Sequence, residues 1–407
     1  MSDSQKPSVR GWVVVLAGLG VNLLLGTLYA WGVMGKALAM QWHWTKTQAA
    51  MPFAISTAAF AIMMVFAGRA QDKLGPRRVA SLGGLLFGLG VAASSLFTSP
   101  LFILLSFGVV GGAGIGLAYS ATTPAAVKWF PSARKGLITG IVVSGVGLAA
   151  VFMSPLTQLL LAKTSIPMTF LILGLGSAVI ILGLAQFLTD PPKGFVAASP
   201  ASGPARNLPQ RPDVEWHEML RTPQFYLLWL MYVLAASAGL MIIANAPIIA
   251  KGQAHWEAGF VLVMLLAVFN TLGRFLSGAL SDRLGRTTTM LIAFGVQAVN
   301  LFFFSHYTSP LSLALGTSLL GLCYGTVFTL MPAITADYYG LRNMGVNYGL
   351  VFTGFGVAGV FGSLLGGRVR DLFGSYDKAY LICGVMLVAA ALLAWFLRAP
   401  ASKAERG

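Results

Sequence analysis

The chain has 407 residues, of which 57% are hydrophobic and only 10% are charged. A soluble domain carries roughly 25% charged residues, so this composition excludes an ordinary soluble protein whose whole surface faces water. The net charge of +15 would suggest nucleic-acid binding in a soluble protein. Here the basic residues lie in short loops beside apolar runs, which indicates membrane topology and no nucleic-acid partner.

Twelve apolar runs, each long enough to cross about 30 Å of hydrocarbon, recur along the chain. Each run is predicted to be a helix, because an open strand edge leaves backbone polar groups unsatisfied in lipid. The first run begins at Trp12 and is too long for the apolar part of a signal peptide, so it is predicted to be an uncleaved span. The predicted spans are 11–33, 48–68, 79–97, 101–127, 136–161, 168–189, 224–249, 257–281, 287–306, 310–336, 345–367 and 378–397.

The segment 190–223 is rich in proline and polar residues, and it separates six predicted spans from six others. It is predicted to be a cytoplasmic linker between a six-helix bundle of residues 1–189 and a second bundle of residues 224–407. If the N-terminus is inside, the predicted cytoplasmic segments together hold 19 Lys and Arg residues and the opposite loops hold 7, so the positive-inside rule predicts that both termini are cytoplasmic. We therefore expect a multi-pass protein of the plasma membrane, which in a bacterium is the cell inner membrane.

The same motif follows the second helix of each predicted half. The first copy reads GRAQDKLGPRR and the second reads GALSDRLGR, at an offset of 210 residues. The glycine permits close helix approach, and the acid can lie at a neighbouring helix N-terminus, so the motif is predicted to stabilise one access state. Plain anchoring of the cytoplasmic boundary is the alternative. The residues assigned to the motif are Gly68, Asp72, Lys73, Gly75, Arg77, Gly278, Asp282, Arg283, Gly285 and Arg286.

A second set of residues repeats in nearly the same register. Two such repeats predict that the halves are parallel six-helix units, related by a pseudo-twofold axis along the membrane normal, with the solute site between them. The residues Gly116, Tyr119, Gly136, Gly140, Gly145 and Gly147 recur as Gly321, Tyr324, Gly345, Gly349, Gly354 and Gly356.

The doubled pattern Gly-x-x-x-Asp-Lys/Arg-x-Gly resembles the signature of the major facilitator superfamily, and the match in topology covers nearly the whole chain. The resemblance implies an all-α integral membrane fold, alternating access and a monomer. The run from Asn22 to Trp31, and Tyr119 followed by Lys128 to Gly136, are similar to the oxalate/formate antiporter and monocarboxylate porter branch. That similarity implies carboxylate substrates rather than sugars or drugs.

Arg274 is the one basic residue well inside a predicted span, roughly 12 Å from the cytoplasmic edge. An arginine near a helix centre costs about 2.5–3.5 kcal/mol on insertion scales, and its planar fork can grip a carboxylate with two hydrogen bonds. The resemblance also implies a carboxylate-binding arginine on this helix. Snorkelling to the surface or capping of backbone carbonyls is the alternative. Asn270, one turn earlier on the same face, is predicted to orient the guanidinium or to contact the substrate.

Further candidate binding residues lie in both halves. Tyr119 and Tyr324 occupy corresponding positions, and their hydroxyls are candidates to bind a carboxylate or a 2-hydroxyl group. Phe328 lies one turn after Tyr324, while Leu28 and Tyr29 lie on the first span. A packing role is the alternative for each of these side chains.

The eleventh span departs from the pattern that the resemblance implies for oxalate exchangers, because Phe355 stands where those proteins carry a lysine. A dicarboxylate needs a cation at each end, since burying its second charge unpaired is very costly. We therefore predict a monocarboxylate with a short apolar tail, such as lactate, pyruvate, acetate or propionate. The tail would pack against Phe352, Phe355 and Leu28, for which packing alone is again the alternative.

The coupling mechanism is open at this point. No Asp or Glu lies well inside a predicted span, and Asn270 stands where proton-coupled monocarboxylate porters often carry Asp. The resemblance implies proton-linked symport of monocarboxylates, and oxalate/formate-type anion exchange is the alternative, since it needs no proton acceptor. A membrane sensor with a transporter fold is a third hypothesis. We expect no enzyme activity, cofactor or metal, because no nucleophile–base pair and no cluster of metal-binding residues is visible.

Overall fold

The computed structural model describes residues 9–192, 195, 213–256 and 259–398. Most of the predicted linker 190–223 lies outside these residues, and so does the side chain of Tyr29. Within the described residues every regular element is a helix, as predicted.

Six long helices form the first half of the chain. The first helix passes through a 3₁₀ segment at Gly26–Ala30, and the fourth contains a π-helical segment at Leu104–Gly111. The six helices are α1 (Val9–Gln41), α2 (Lys46–Leu74), α3 (Pro76–Ala93), α4 (Pro100–Val127), α5 (Lys135–Lys163) and α6 (Ile166–Ala185).

Six more long helices form the second half, after a short helix at Trp216–Met219. They are α7 (Pro223–Ala254), α8 (Phe260–Leu284), α9 (Arg286–Phe303), α10 (Pro310–Tyr339), α11 (Met344–Phe373) and α12 (Asp377–Phe396).

Eleven of these helices are long and apolar enough to cross a membrane. The remaining helix, α3, has 18 residues and begins at Pro76, so its first turn carries Arg77 and Arg78 and its hydropathy is lowered. The twelve-helix prediction is confirmed, although the predicted bounds shift. The chain after Ala93 is a turn rather than helix, and α1 continues to Gln41 through its 3₁₀ segment.

A glycine with positive φ precedes each of two equivalent helices. Gly75 precedes α3 with φ of 84°, and Gly285 precedes α9 with φ of 97°. L-residues with a side chain rarely adopt such positive φ values, so glycine is required at both turns. Each of these residues is the second glycine of one copy of the repeated motif, so the turn explains why the motif carries glycine there.

The described chain divides into two compact units that differ slightly from the two sequence halves. The first unit takes Met1–Ser132, Ile141–Leu208 and Leu341–Leu350, and the second takes Ala133–Gly140, Pro209–Gly340 and Val351–Gly407, so far as these ranges are described. The start of α5 thus belongs to the second unit and the start of α11 to the first. The domain boundaries drawn from the sequence stay a prediction.

Helices α8 and α10 pack on each other extensively in the second unit. A Cβ atom at Gly273 of α8 would fall on the carbonyl oxygen of Leu322, and one at Gly325 of α10 would fall on that of Asn270. Small residues at these positions let the two backbones approach closely. In the most apolar stretch of α10, 89% of the residues are buried, so this helix is largely covered by other parts of the protein.

Candidate functional site

Arg274 lies on α8 with its side chain fully buried. Its Nε donates a hydrogen bond of 3.1 Å to Oδ1 of Asn270, one turn earlier on the same helix. Its Cζ lies 4.5 Å from the centroid of the Phe328 ring on α10, which is a cation–π contact. The side chain is buried within the protein and does not reach its surface.

The backbone at Arg274 is tightly enclosed. Thr329 Oγ1 donates to the Arg274 carbonyl oxygen at 3.0 Å, and a Cβ at Gly140, near the start of α5, would fall on the same oxygen. A Cβ at Gly325 would lie 2.8 Å from the Arg274 nitrogen. Because interiors are close-packed, these contacts fix the position of the Arg274 Cα atom.

An aromatic cluster in the second unit meets the Arg274 guanidinium through the ring of Phe328. The ring of Phe328 meets that of Tyr324 at 5.2 Å and that of Phe355 at 5.1 Å, both in edge-to-face geometry. Phe352 lies 5.2 Å from Phe355, and the ring of Tyr232 lies 5.9 to 6.3 Å from three of the phenylalanines. All five side chains are buried, so the ring that meets the arginine belongs to a buried aromatic cluster.

Tyr232 is a further member of the site that was not among the candidates predicted from the sequence; it lies on α7 and contacts Phe328, Phe352 and Phe355. A signal for it was present in the repeat. Tyr232 lies 210 residues after Asn22, the same offset as the repeated motif. The structure supports this equivalence, because a Cβ at Gly145 would approach Asn22 and a Cβ at Gly354 would approach Tyr232.

The candidate residues of the first half have different surroundings. Tyr119 is buried in an edge-to-face contact with Phe60 at 5.4 Å, and Leu28 is buried in the 3₁₀ segment of α1. Both belong to the first unit, whereas Arg274 and the aromatic cluster belong to the second. The side chain of Tyr29 lies outside the described part of the chain.

Each motif aspartate accepts two backbone hydrogen bonds at the start of a helix. In the second unit, the N–H groups of Gly136 and Leu137 in α5 donate to the two carboxylate oxygens of Asp282, at 2.9 and 2.8 Å. In the first unit, Gly345 and Val346 of α11 donate in the same way to Asp72, at 3.1 and 3.0 Å. A carboxylate at a helix N-terminus satisfies its orphan donors and complements its dipole.

The two aspartates differ in their ionic partners. Arg286 Nη1 lies 2.5 Å from Asp282, while its Nε donates to Asp337 at 2.9 Å. Lys135 Nζ also lies 3.3 Å from Asp337, so four largely buried charges form one network. In the first half the position equivalent to Arg286 is Pro76.

The remaining motif residues occupy the helix ends. Lys73 and Arg283 are exposed in the last turns of α2 and α8, where a cation complements the helix dipole. Arg77 Nε donates to Gln186 Oε1 at 2.6 Å. A Cβ at Gly68 would fall on the Gly345 carbonyl oxygen, so this glycine is needed for close helix contact.

The chain is similar to several membrane transporters. The oxalate:formate antiporter of Oxalobacter formigenes is 28% identical over 407 residues, which cover 95% of this chain and 91% of that protein. The uncharacterized MFS-type transporter YhjX of Escherichia coli (strain K12) is 28% identical over 86% of each chain. Monocarboxylate transporter 12 of Homo sapiens is also 28% identical, over 78% of this chain and 66% of its own length.

Solved structures share the fold at low sequence identity. The proton:xylose symporter XylE bound to 6-bromo-6-deoxy-D-glucose matches with a TM-score of 0.75 at 14% identity, over 96% of both chains. The human organic anion transporter MFSD10 matches with a TM-score of 0.72 at 17% identity, over 96% of this chain and all of its own. The family model of the Major Facilitator Superfamily matches residues 12–299 and 258–407. With twelve helices and the doubled motif, the chain therefore belongs to the Major Facilitator Superfamily of membrane transporters.

Proposed function

We propose that this protein is a secondary transporter of small monocarboxylates and that Arg274 binds the substrate carboxylate. The observation that carries the proposal is a fully buried arginine at a position where the other half of the repeat has Met64, which is also fully buried. A methionine therefore satisfies packing at the equivalent position of the first half. Because a buried charge is costly, the arginine requires a reason outside packing, and a transported anion supplies one.

The geometry of Arg274 suits an anion with a planar carboxylate. Asn270 Oδ1 accepts from Nε and thereby orients the guanidinium plane. The two terminal nitrogens of the guanidinium form one edge of its plane, and their spacing matches the two oxygens of a carboxylate. We propose that the substrate approaches this end and that Asn270 acts as a positioning residue.

The aromatic cluster supports a substrate with one charge. Within the described residues this cluster consists of rings and carries no cation, and Phe328 brings it against the guanidinium; its members are Tyr232, Tyr324, Phe328, Phe352 and Phe355. A second carboxylate against these rings would lose its hydration without a partner. Lactate, pyruvate, acetate and propionate have short apolar tails that such rings can cover. The proposed contacts of Tyr119, Leu28 and Tyr29 with the substrate stay a prediction.

For the mechanism we propose proton-coupled symport by alternating access. The proton acceptor in this proposal is a water-accessible aspartate at a span end, because Asn270 cannot titrate and a substrate carboxylate paired with Arg274 is held in its charged form. The motif residues around Asp72 and Asp282 would hold helix starts in one access state. Cytoplasmic termini, a plasma-membrane location and a monomer complete the proposal.

Anion exchange is the second candidate. The similarity to an oxalate:formate antiporter over 95% of the chain favours it. In exchange, the carrier changes its access state only while an anion is bound to Arg274, so no proton acceptor is needed. A Phe355→Lys variant tests the charge argument, because a second cation in the cluster is expected to create oxalate exchange that the parent protein lacks.

Uptake into proteoliposomes separates the candidates. The panel comprises labelled lactate, pyruvate, acetate, propionate, formate and oxalate, each with and without an inward proton gradient. Symport predicts monocarboxylate uptake that follows the gradient and collapses with an uncoupler. Uptake that ignores the gradient but requires internal anion would support exchange. Binding of lactate without uptake or counterflow would contradict transport and favour the sensor hypothesis.

A further inference from the structure

We propose that the ring of Phe328 controls how readily the empty carrier reorients, and hence whether the protein performs net transport or only exchange. The inference rests on the proposed function, because it assumes that Arg274 binds the transported anion. It assigns Phe328 a role distinct from lining the substrate: it stabilises the arginine when the substrate is absent.

The contact that carries the inference is the cation–π pair of Arg274 and Phe328. The guanidinium carbon lies 4.5 Å from the ring centroid, and the two side chains are 0% and 4% exposed. The rings of Tyr324 and Phe355 meet Phe328 edge-to-face at 5.2 and 5.1 Å. These neighbours hold the Phe328 ring so that one face stays turned toward the cation.

The pair belongs to one moving body. Arg274 on α8 and Phe328 on α10 lie in the same compact unit. Close backbone contacts at Gly273 and Gly325 join these helices. Alternating access in transporters of this kind is largely rigid-body movement of one repeat against the other. A contact inside one unit therefore persists through the transport cycle, whereas water and substrate bind and leave during the cycle.

The charge balance of Arg274 differs between the loaded and the empty carrier. In the loaded carrier the substrate carboxylate compensates the guanidinium while the site is closed to water. In the empty carrier the closed site retains protein groups only, among them Asn270 Oδ1 and the face of Phe328. Without the ring face, the cation is less stabilised in a low-dielectric site. The free-energy barrier to reorientation therefore rises more for the empty carrier than for the loaded carrier.

Two transport modes report these steps separately. Exchange requires only the loaded carrier to reorient, in both directions. Net uptake requires the empty carrier to return after each release. The ratio of net uptake to exchange therefore measures the empty step, and a general loss of folded protein cancels from this ratio.

The test measures labelled lactate uptake into vesicles without internal lactate and into vesicles preloaded with unlabelled lactate, using one preparation of each variant. Phe328→Leu keeps an apolar side chain and removes the π face, so we expect a net-to-exchange ratio about tenfold lower than in the parent protein. Phe328→Tyr keeps the face and should keep the ratio. Phe328→Met is a second loss variant, in case the leucine variant is not recovered in the membrane.

The control is Phe304→Leu, which removes a fully buried ring of the same unit that packs on Tyr380 at 5.0 Å. It is expected to reduce both modes in proportion. An unchanged ratio in Phe328→Leu and Phe328→Met overturns the inference while lactate exchange continues to support the proposed function. An equal fall in the Phe304→Leu ratio also overturns it. Absence of lactate transport in the parent protein would instead remove the proposed function and the inference with it.

Discussion

Arg274 of α8 and Met64 of α2 occupy equivalent positions in the two halves of the chain, and both are fully buried. A Cβ at Gly140 would fall on the carbonyl oxygen of Arg274, and a Cβ at Gly349 would fall on that of Met64. The backbone surroundings are thus repeated while the side chains differ. One turn earlier, Asn270 likewise corresponds to Phe60, so the polar pair is confined to one half.

Replacing Asn270 by Asp should weaken anion binding. The Asn270 oxygen lies 3.1 Å from Nε of Arg274, so a carboxylate there would form an ion pair that competes with the substrate carboxylate. We expect the KM for lactate exchange at neutral pH to rise about tenfold or more. Asn270→Leu is the uncharged control, and a KM in Asn270→Asp no higher than in that control would contradict the competition.

The two motif aspartates should differ in their contribution to stability. Asp282→Asn removes a charge from a network in which Arg286 and Asp337 are at most 9% exposed, and breaking such a pair costs about 3–5 kcal/mol. Asp72→Asn disturbs mainly two backbone hydrogen bonds and retains one amide oxygen, which costs about 1–2 kcal/mol. Thermal unfolding in detergent should therefore show the larger fall for Asp282→Asn; equal or reversed shifts would refute the proposed difference.

A methyl group at Gly345 should disrupt the first unit. Its Cβ would fall on the backbone carbonyl oxygen of Gly68, which cannot yield cheaply, and would lie 2.9 Å from the carboxylate of Asp72. We expect Gly345→Ala to lower the free energy of unfolding by about 1–3 kcal/mol. Gly176→Ala in α6 is the matched control, because a Cβ there meets nothing within 4 Å and alanine favours a helix. Equal unfolding temperatures for the two variants would show that the close contact is unimportant.

Much of this arrangement could be predicted from local sequence. Hydropathy was sufficient to locate the helices, because each apolar span must make its backbone hydrogen bonds within itself in lipid. The contact of Arg274 with Asn270 follows from helical periodicity. The motif also predicted that its acid lies at the N-terminus of a neighbouring helix. Asp72 lies at the start of α11 and Asp282 at the start of α5.

Other features depend on contacts between distant segments. The 3₁₀ segment Gly26–Ala30 interrupts α1 where Gly26 approaches Ala149 of α5, and no local signal marks that approach. The ion pair of Arg286 with Asp337 joins the start of α9 to the end of α10, which hydropathy does not reveal. Tyr232 has no distinctive local spacing in its apolar helix, and its only sequence signal is the 210-residue offset from Asn22.

The most direct test of the central claim is the Arg274→Met variant. Because Met64 fills the equivalent position, the variant should fold, remain in the membrane and unfold at a temperature equal to or above that of the parent protein. Labelled lactate uptake into proteoliposomes should fall about 100-fold or more. Met64→Leu, the matched change in the other half, should retain uptake. Near-normal uptake in Arg274→Met would contradict the proposal that this arginine binds the transported carboxylate.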